Sequence, residues 1–175
     1  IKAFKQKDCL KYKKYDGIIR PQEAIEVISH LSKQYHPYVT TDVGQHQMFT
    51  AQYFKFDTPR HFMTSGGLGT MGFGFPAAIG AQLAMPDATV MCITGDGSFQ
   101  MNMQELAVCR KLKLPLKVFI LNNSVLGMVR QFQTVFYNSR YSATILDGNP
   151  DFLTIAKAYG FKGYRISDES KLEET

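Results

Sequence analysis

Residues 89–98 read TVMCITGDGS. The first six form a continuous run of mostly apolar and β-branched residues, which is typical of a parallel strand buried on both faces. Gly95 and Gly97 flank Asp96 directly after this run, so its carboxylate is expected at the C-terminal end of the strand. Open α/β sheets bind ligands at that end of their strands. The segment therefore predicts an α/β domain with a site at the carboxyl edge of its sheet.

Alternating patterns extend this prediction along the chain. Strand-like and helix-like segments follow one another with short links, which indicates an α/β fold with a mainly parallel sheet and helices on both faces. One predicted helix begins with a pattern like a capping box, formed by Asn102 and Glu105. The predicted strands are residues 38–41, 61–64, 89–94, 116–121 and 161–166. The predicted helices are residues 21–31, 47–53, 76–84, 102–113, 127–132 and 149–159.

The composition is that of a globular domain, with 45% hydrophobic and 20% charged residues. The formal net charge is +5, which raises the possibility of a basic binding module for nucleic acid. However, the first 20 residues contain seven lysines or arginines and two aspartates, so the whole excess lies there. We therefore predict a basic linker or tail over residues 1–20 and one domain over residues 21–175. Because the chain begins with Ile1 and stops within a helix-like stretch, we expect a piece of a longer chain, truncated at both ends.

The three cysteines, Cys9, Cys92 and Cys109, show neither a paired framework nor metal-binding spacing. This pattern favours a reducing compartment, and we expect a cytoplasmic location. No apolar run approaches the roughly 20 residues that a membrane-spanning helix needs. The lysine-rich N-terminus also lacks the apolar stretch of a signal peptide. Neither a membrane nor a nucleic acid is the expected partner.

Polar residues at the ends of two successive predicted strands indicate a metal site. Asp96 follows one strand and Asn123 follows the next, so adjacent parallel strands would bring them side by side. A carboxylate and an amide oxygen suit Mg²⁺, which usually shares its ligands between protein and substrate phosphates. The helix after Asp96 would begin with free backbone N–H groups that favour an anion. The pattern predicts a phosphate-containing ligand held through Mg²⁺.

A glycine pattern leaves a second interpretation open. Residues 67–72, GLGTMG, match G-x-G-x-x-G, follow a predicted strand and precede a helix. The dinucleotide fingerprint also needs an acidic residue about 20 positions further on. Asp96 lies 24 positions beyond Gly72. This spacing is close enough to keep an NAD-binding domain as the alternative. Against it, the fingerprint requires neither the glycines around Asp96 nor Asn123.

The segment from Gly95 to Asn123, with GDG at one end and NN at the other, resembles the thiamine-diphosphate motif. Four longer stretches, TDVGQHQM, SGGLGTMGFGFPAAIGAQ, GDGSFQMNMQEL and LNNSVLGMVRQFQ, resemble the large, catalytic subunit of acetolactate synthase (acetohydroxyacid synthase). The resemblance runs from about Thr40 to Phe161 and covers only the C-terminal, diphosphate-binding domain of that subunit. It implies a thiamine-diphosphate-binding fold.

The resemblance also implies roles for individual residues. The Mg²⁺ ligands would be the side chains of Asp96 and Asn123 and the backbone carbonyl of Val125. The substrate channel would be lined by Met128, Val129 and Phe132, the last standing where many family members have tryptophan. Contacts to the cofactor's diphosphate or aminopyrimidine would come from Gln45, His46, Gly69, Met71, Gly95, Asp96, Gly97, Ser98 and Asn123.

As implied by the resemblance, the full-length enzyme condenses two pyruvates, or pyruvate and 2-ketobutyrate, to an acetohydroxy acid with loss of CO₂ in branched-chain amino-acid biosynthesis. No catalytic residue is expected in this chain, because the activating glutamate lies on the N-terminal domain of a partner subunit. The implied partners are a homodimer or tetramer of the full-length subunit and a small regulatory subunit, with FAD on the middle domain. The nearer alternative is another thiamine-diphosphate-dependent 2-ketoacid decarboxylase or oxidase.

Overall fold

The computed structural model describes residues 10–175 and contains the alternating strands and helices of an α/β domain. The strands are β1 (Tyr38–Thr41), β2 (Phe62–Thr64), β3 (Val90–Gly95) and β4 (Lys117–Leu121). The α-helices are α1 (Pro21–Ser32), α2 (Gln45–Tyr53), α3 (Gly74–Ala84), α4 (Asp96–Asn102), α5 (Leu106–Leu112), α6 (Gly127–Phe136) and α7 (Phe152–Ala158). Three short 3₁₀ helices lie at Lys33–Tyr35, Met103–Glu105 and Glu169–Lys171.

The four strands form one sheet in the order β2-β1-β3-β4, and every pair in it is parallel. In the register, Thr41 of β1 lies beside Ile93 of β3, and Gly95 of β3 lies beside Leu121 of β4. Parallel neighbours need a crossover connection between them, which the helices supply. The predicted α/β fold with a parallel sheet is confirmed.

Helices cover both faces of this sheet, because successive side chains of a strand point to opposite sides. Val90 and Cys92 of β3 face a core that α3 and α5 complete, whereas Met91 and Ile93 face a core that α1 and α2 complete. All six residues of β3 are buried, as the continuous apolar run predicts. Burying one such aliphatic side chain contributes about 1.5–3 kcal/mol, so the two cores together stabilise the sheet.

The order of the strands places a crevice at one edge of the sheet. The chain passes from β1 to β2 on one side and then returns to place β3 on the other side of β1. In doubly wound sheets, ligands bind at such a switch point, outside the carboxyl ends of the two central strands. Here those ends carry residues 42–46 and Gly95–Asp96, so the topology alone points to these two segments.

The first residue of the helix predicted over residues 102–113 is wrong. The chain is already helical from Asp96, passes through the 3₁₀ turn, and becomes α-helical again at Leu106. The Asn102 side chain makes no capping hydrogen bond at the start of the 3₁₀ turn, and its amide instead donates a hydrogen bond to the carbonyl of Gly72 at 2.6 Å. The capping-box pattern was therefore a coincidence of residue types. Helix α6 also continues to Phe136, four residues beyond its predicted end at Phe132.

The strand predicted over residues 161–166 is also wrong. The segment does not pair with β4 and is bound instead to helix α7. The Phe161 N–H donates to the carbonyl of Ala156 at 2.8 Å, and the Arg165 guanidinium donates to the Asp151 carboxylate at 2.9 Å. An ideal Cβ on Gly163 would lie 2.7 Å from the Leu153 side chain, so the backbone runs directly over α7. These contacts hold the segment away from the sheet despite its strand-like composition.

The residues before α1 contact the domain from Leu10 onward, whereas residues 1–9, including Cys9, lie outside the described part of the chain. The Tyr12 hydroxyl donates to Glu26 at 2.6 Å, and Lys14 forms an ion pair with Glu23. Among the described residues, no helix combines the length and apolar character needed to span a membrane. Cys92 and Cys109 are unpaired and buried, and burial raises their pKa values to about 12 and 11, so both are packing residues.

Candidate functional site

A cavity of about 1300 Å³ opens at the carboxyl edge of β1, β3 and β4. It extends under α1 and along β4, and its polar end lies at the switch point between β1 and β3. Of the site residues proposed from the sequence, Phe132 does not line it. The residues that do line it are Gln45, His46, Gly69, Met71, Gly95, Asp96, Gly97, Ser98, Asn123, Val125, Met128 and Val129.

His46 fills the space between the ends of β1 and β3. An ideal Cβ on Gly44 would lie 2.8 Å from its Cε1, and one on Gly95 would lie 2.8 Å from its Nδ1. The ring is buried, and burial lowers the pKa of His46 to about 4, so the imidazole is neutral near pH 7. Its Nε2 is sealed from solvent without a hydrogen-bond partner among the described residues. A buried polar atom is rarely left unsatisfied, so this nitrogen still lacks the partner that such an atom usually has.

We expect Gly95→Ala to damage this end of the site. The new methyl group would overlap the imidazole, which Gly44 confines from the other side, so the ring has to move. Such overpacking costs about 1–3 kcal/mol of unfolding free energy. Gly80→Ala is the matched control, because nothing lies within 4 Å of that position in the middle of α3. The control is expected to gain up to about 1 kcal/mol from better helix propensity. Equal unfolding free energies for the two variants, measured by denaturant titration, would contradict the role given to Gly95.

Asp42 has a structural role at the site that the sequence alone did not assign. It is fully buried at the end of β1, and its carboxylate accepts three backbone N–H groups. Oδ1 accepts from Val43 at 3.0 Å and from Gly72 at 2.7 Å, and Oδ2 accepts from Gly74 at 3.1 Å. The carboxylate therefore binds the glycine-rich loop to the end of β1. Its position after a buried strand, like that of Asp96, was the signal that could have identified it.

The loop that Asp42 holds carries Met71 into the site. An ideal Cβ on Gly97 would lie 3.8 Å from the Met71 methyl group, so the thioether reaches the first turn of α4. Gly72, with φ of +89°, has the left-handed conformation that favours glycine, and its carbonyl accepts from Asn102. The bonds to its neighbour Gly72 thereby hold Met71 opposite Gly97. The predicted contact of Met71 with an aminopyrimidine stays a prediction.

Asp96 lies at the centre of the polar end of the cavity. It is buried at the start of α4, and its Oδ2 accepts the Ser124 N–H at 2.8 Å and the Asn149 side-chain N–H at 2.6 Å. Its Oδ1 makes no hydrogen bond with the described residues. Ser98, two residues further along α4, donates its hydroxyl to the carbonyl of Val43 at 3.1 Å and so binds α4 to the end of β1.

The loop after β4 brings two further oxygen atoms to this region. The Asn123 side-chain oxygen accepts the Val125 N–H at 3.1 Å and keeps a second lone pair. The flanking residues pair with another loop, since the Leu126 N–H donates to Thr144 and the Leu146 N–H donates to Ser124. The carbonyl of Val125 takes part in no backbone hydrogen bond within residues 10–175. The three proposed metal ligands are all oxygen donors, which suits Mg²⁺.

Gln45 crosses from α2 to α6 at the mouth of the cavity. Its Nε2 donates to the Gln131 side-chain oxygen at 3.1 Å, and its own oxygen lies where a Cβ on Gly127 would be. Helix α6 then presents apolar side chains to solvent, with Val129 46% and Phe132 54% exposed. Phe132 lies one turn beyond Met128, outside the cavity and next to Phe136.

Comparison with protein families shows which family this domain belongs to. A family model described as "Thiamine pyrophosphate enzyme, C-terminal TPP binding domain" matches residues 42–175. The chain belongs to this family. The match begins at Asp42 and includes every site residue proposed above. The dinucleotide interpretation of the glycine-rich loop therefore loses its support, and that loop follows the edge strand β2 and not a central strand.

Curated members of this thiamine-diphosphate family resemble the chain closely. The acetolactate synthase large subunit of Haemophilus influenzae is 48% identical over 178 residues, covering 99% of this chain and 31% of that protein. The isozyme 3 large subunit of Escherichia coli is 50% identical over 173 residues, covering 99% and 30%. The isozyme 2 large subunit of E. coli is 56% identical over 135 residues, covering 77% and 25%. The resemblance inferred from the sequence motifs is confirmed, and the chain spans less than a third of the length of these relatives.

Proposed function

We propose that this domain binds thiamine diphosphate through Mg²⁺ in an acetolactate synthase. The complete enzyme would condense two pyruvates, or pyruvate and 2-ketobutyrate, with loss of CO₂, for the synthesis of branched-chain amino acids. The observation that carries this proposal is the 48–50% identity with acetolactate synthase large subunits over 99% of the chain. The similarity extends through the oxygen-rich crevice at the switch point of the sheet.

The crevice fits the proposed cofactor in two respects. Asp96 Oδ1 and the carbonyl of Val125 are acceptors without hydrogen bonds among the described residues, and Asn123 retains a lone pair. The sealed Nε2 of His46 lacks a partner that a diphosphate oxygen would supply. Mg²⁺ would be held by Asp96, Asn123 and Val125. Other contacts to the cofactor would come from Gln45, His46, Gly69, Met71, Gly95, Gly97 and Ser98. When bound, thiamine diphosphate supplies the nucleophile and the electron sink for decarboxylation of a 2-ketoacid.

The substrate would reach this cofactor along α6. Met128 and Val129 line the cavity, and Phe132 lies further out on the exposed side of the helix. Apolar walls exclude water from the reacting groups and strengthen electrostatic interactions there. A phenylalanine at position 132 offers an aromatic wall without the larger area and N–H donor of a tryptophan. This position would influence the choice of the second ketoacid.

The remaining parts of the machinery would come from outside this chain. We propose that the activating glutamate belongs to the N-terminal domain of a partner subunit, within a homodimer or tetramer. FAD would be bound by the middle domain, and a small regulatory subunit would complete the assembly in the cytoplasm. The domain described here would then hold the diphosphate end of the cofactor and the metal.

A direct consequence is that the 175-residue chain alone should not turn over pyruvate. Without the activating glutamate of the partner, the cofactor would be bound at its diphosphate end only. The measurement is a colorimetric assay for acetolactate with the purified chain, saturating thiamine diphosphate and Mg²⁺. Acetolactate formation above the protein-free control would contradict the proposal.

The reaction itself is tested by a product assay on the complete natural protein. Incubation with pyruvate, thiamine diphosphate and Mg²⁺ is expected to yield 2-acetolactate and CO₂ in equal amounts. Acetaldehyde would instead indicate a decarboxylase, and acetyl phosphate or acetate would indicate an oxidase of the same cofactor class. Either result would overturn the assignment to acetolactate synthesis while leaving the cofactor site in place.

A further inference from the structure

Asn149, just before helix α7, lies between α4 and the loop after β4. Its Nδ2 donates to Asp96 Oδ2 at 2.6 Å and is 3.3 Å from the side-chain oxygen of Asn122. Its Oδ1 accepts a hydrogen bond from Gln100 Nε2 at 2.8 Å. The family resemblance assigned no role to this residue, and the sequence indicated only the start of a helix there.

The surrounding bonds fix which way the Asn149 amide faces. Gln100 donates through the same Nε2 to the backbone carbonyl of Asp96 at 3.1 Å and to Asn149 Oδ1. Since Asn149 accepts from Gln100 through its oxygen, its NH₂ group faces Asp96. An ionised carboxylate only accepts hydrogen bonds, so this is the orientation that Asp96 requires. Gln100, Asn149 and Asp96 therefore form a directed chain of hydrogen bonds.

The two carboxylate oxygen atoms of Asp96 differ in their hydrogen-bond partners. Oδ2 accepts from Asn149 and from the Ser124 N–H, at 2.6 and 2.8 Å, whereas Oδ1 accepts from no described residue. Two donors on one oxygen prevent rotation of the carboxylate about its Cβ–Cγ bond. One oxygen is thus held by the protein, and the other is left for a ligand.

We propose that Asn149 is a positioning residue that holds the Asp96 carboxylate so that Oδ1 faces the cation. This inference rests on the proposed function, because it takes Asp96 as a metal ligand. Hydrogen-bonded partners of metal-ligating groups orient those groups, and their loss typically lowers metal affinity about 10–100-fold. Asn149→Ala is therefore expected to weaken cation binding by about that factor. Gln100→Leu should have a smaller effect in the same direction, because Asn149 remains but its amide is free to turn.

The test is a titration of the complete natural protein with Mn²⁺, in place of Mg²⁺, at saturating thiamine diphosphate. Free Mn²⁺ is measured by electron paramagnetic resonance, which reports the dissociation constant without any turnover. Asp151→Ala is the matched control. Asp151 lies two residues further along the same loop and caps α7 through the Leu153 N–H at 2.9 Å, without contacting Asp96. The KM for pyruvate is measured for every variant.

The inference expects weaker Mn²⁺ binding by Asn149→Ala, with unchanged binding by Asp151→Ala and an unchanged KM for pyruvate at saturating Mn²⁺. Wild-type affinity in Asn149→Ala would overturn it. An equal loss of affinity in Asp151→Ala would also overturn it, because the effect would then come from the stability of the loop. If the unchanged protein binds no Mn²⁺ in the presence of thiamine diphosphate, the proposed function fails and this inference fails with it.

Discussion

Asp96→Ala is expected to abolish Mg²⁺-dependent binding of thiamine diphosphate by the complete natural protein. Asp96 provides the carboxylate among the three proposed ligands, and its Oδ1 is the oxygen that no described residue engages. Losing a residue that only orients a ligand already costs about 10–100-fold in metal affinity, so losing the ligand itself should cost more than about 100-fold. Calorimetric titration with thiamine diphosphate, with and without Mg²⁺, measures this loss.

Two comparisons make the Asp96 result interpretable. Asp147→Ala removes an exposed aspartate from a neighbouring loop and is expected to leave the binding enthalpy and affinity unchanged. Thermal melting of the apoprotein separates loss of binding from loss of folding, since Asp96→Ala also removes the acceptor of Ser124 and Asn149. An Asp96→Ala protein that folds and binds the cofactor with wild-type affinity would refute the metal role.

Among the proposed variants, Asp42→Ala is expected to lose the most unfolding free energy. The substitution leaves the N–H groups of Val43, Gly72 and Gly74 without their acceptor at a fully buried position. Each unsatisfied buried donor costs about 1–3 kcal/mol, so a total of about 3 kcal/mol or more is expected. Chemical denaturation of the apoprotein measures this directly. The glycine-rich loop would also lose its attachment to β1, so the affinity for thiamine diphosphate should fall.

Asp42→Asn keeps the experiment decisive if the alanine variant does not fold. The amide retains one acceptor oxygen and places an NH₂ group against backbone N–H groups, so an intermediate loss of unfolding free energy is expected. Asp57→Ala, which removes an exposed aspartate, should change the unfolding free energy by less than about 0.5 kcal/mol. Equal unfolding free energies for Asp42→Asn and Asp57→Ala would contradict the role of Asp42.

The buried elements of the fold could be predicted from the sequence because their signals are local. Strand β1 was predicted at its observed bounds, and the apolar run of β3 marked a central strand. The errors at residues 102–113 and 161–166 have physical causes that a pattern does not contain. Asn102 bonds to Gly72, 30 positions away, and residues 161–166 are held by α7. The order of the strands also cannot be predicted from one sequence, although in this fold it determines where the crevice lies.

The candidate site was predicted mainly through motifs, and the structure adds the contacts that support them. Asp96 and Asn123 stand out as polar residues at strand ends, but nothing in the sequence indicates that Asn149 binds Asp96. Asp42 was visible beside the motif without any assigned role. Both contacts join residues that are at least 30 positions apart in the chain. Interactions of this kind depend on the topology of the sheet, so only the folded chain reveals them.

The most direct test of the central claim is calorimetric titration of the unchanged complete protein with thiamine diphosphate. We predict a saturable binding isotherm in the presence of Mg²⁺ and its loss when EDTA removes the cation. Binding that is equally tight with EDTA would contradict the metal-bridged site at Asp96 and Asn123, and no binding under either condition would contradict the assignment of the crevice to this cofactor.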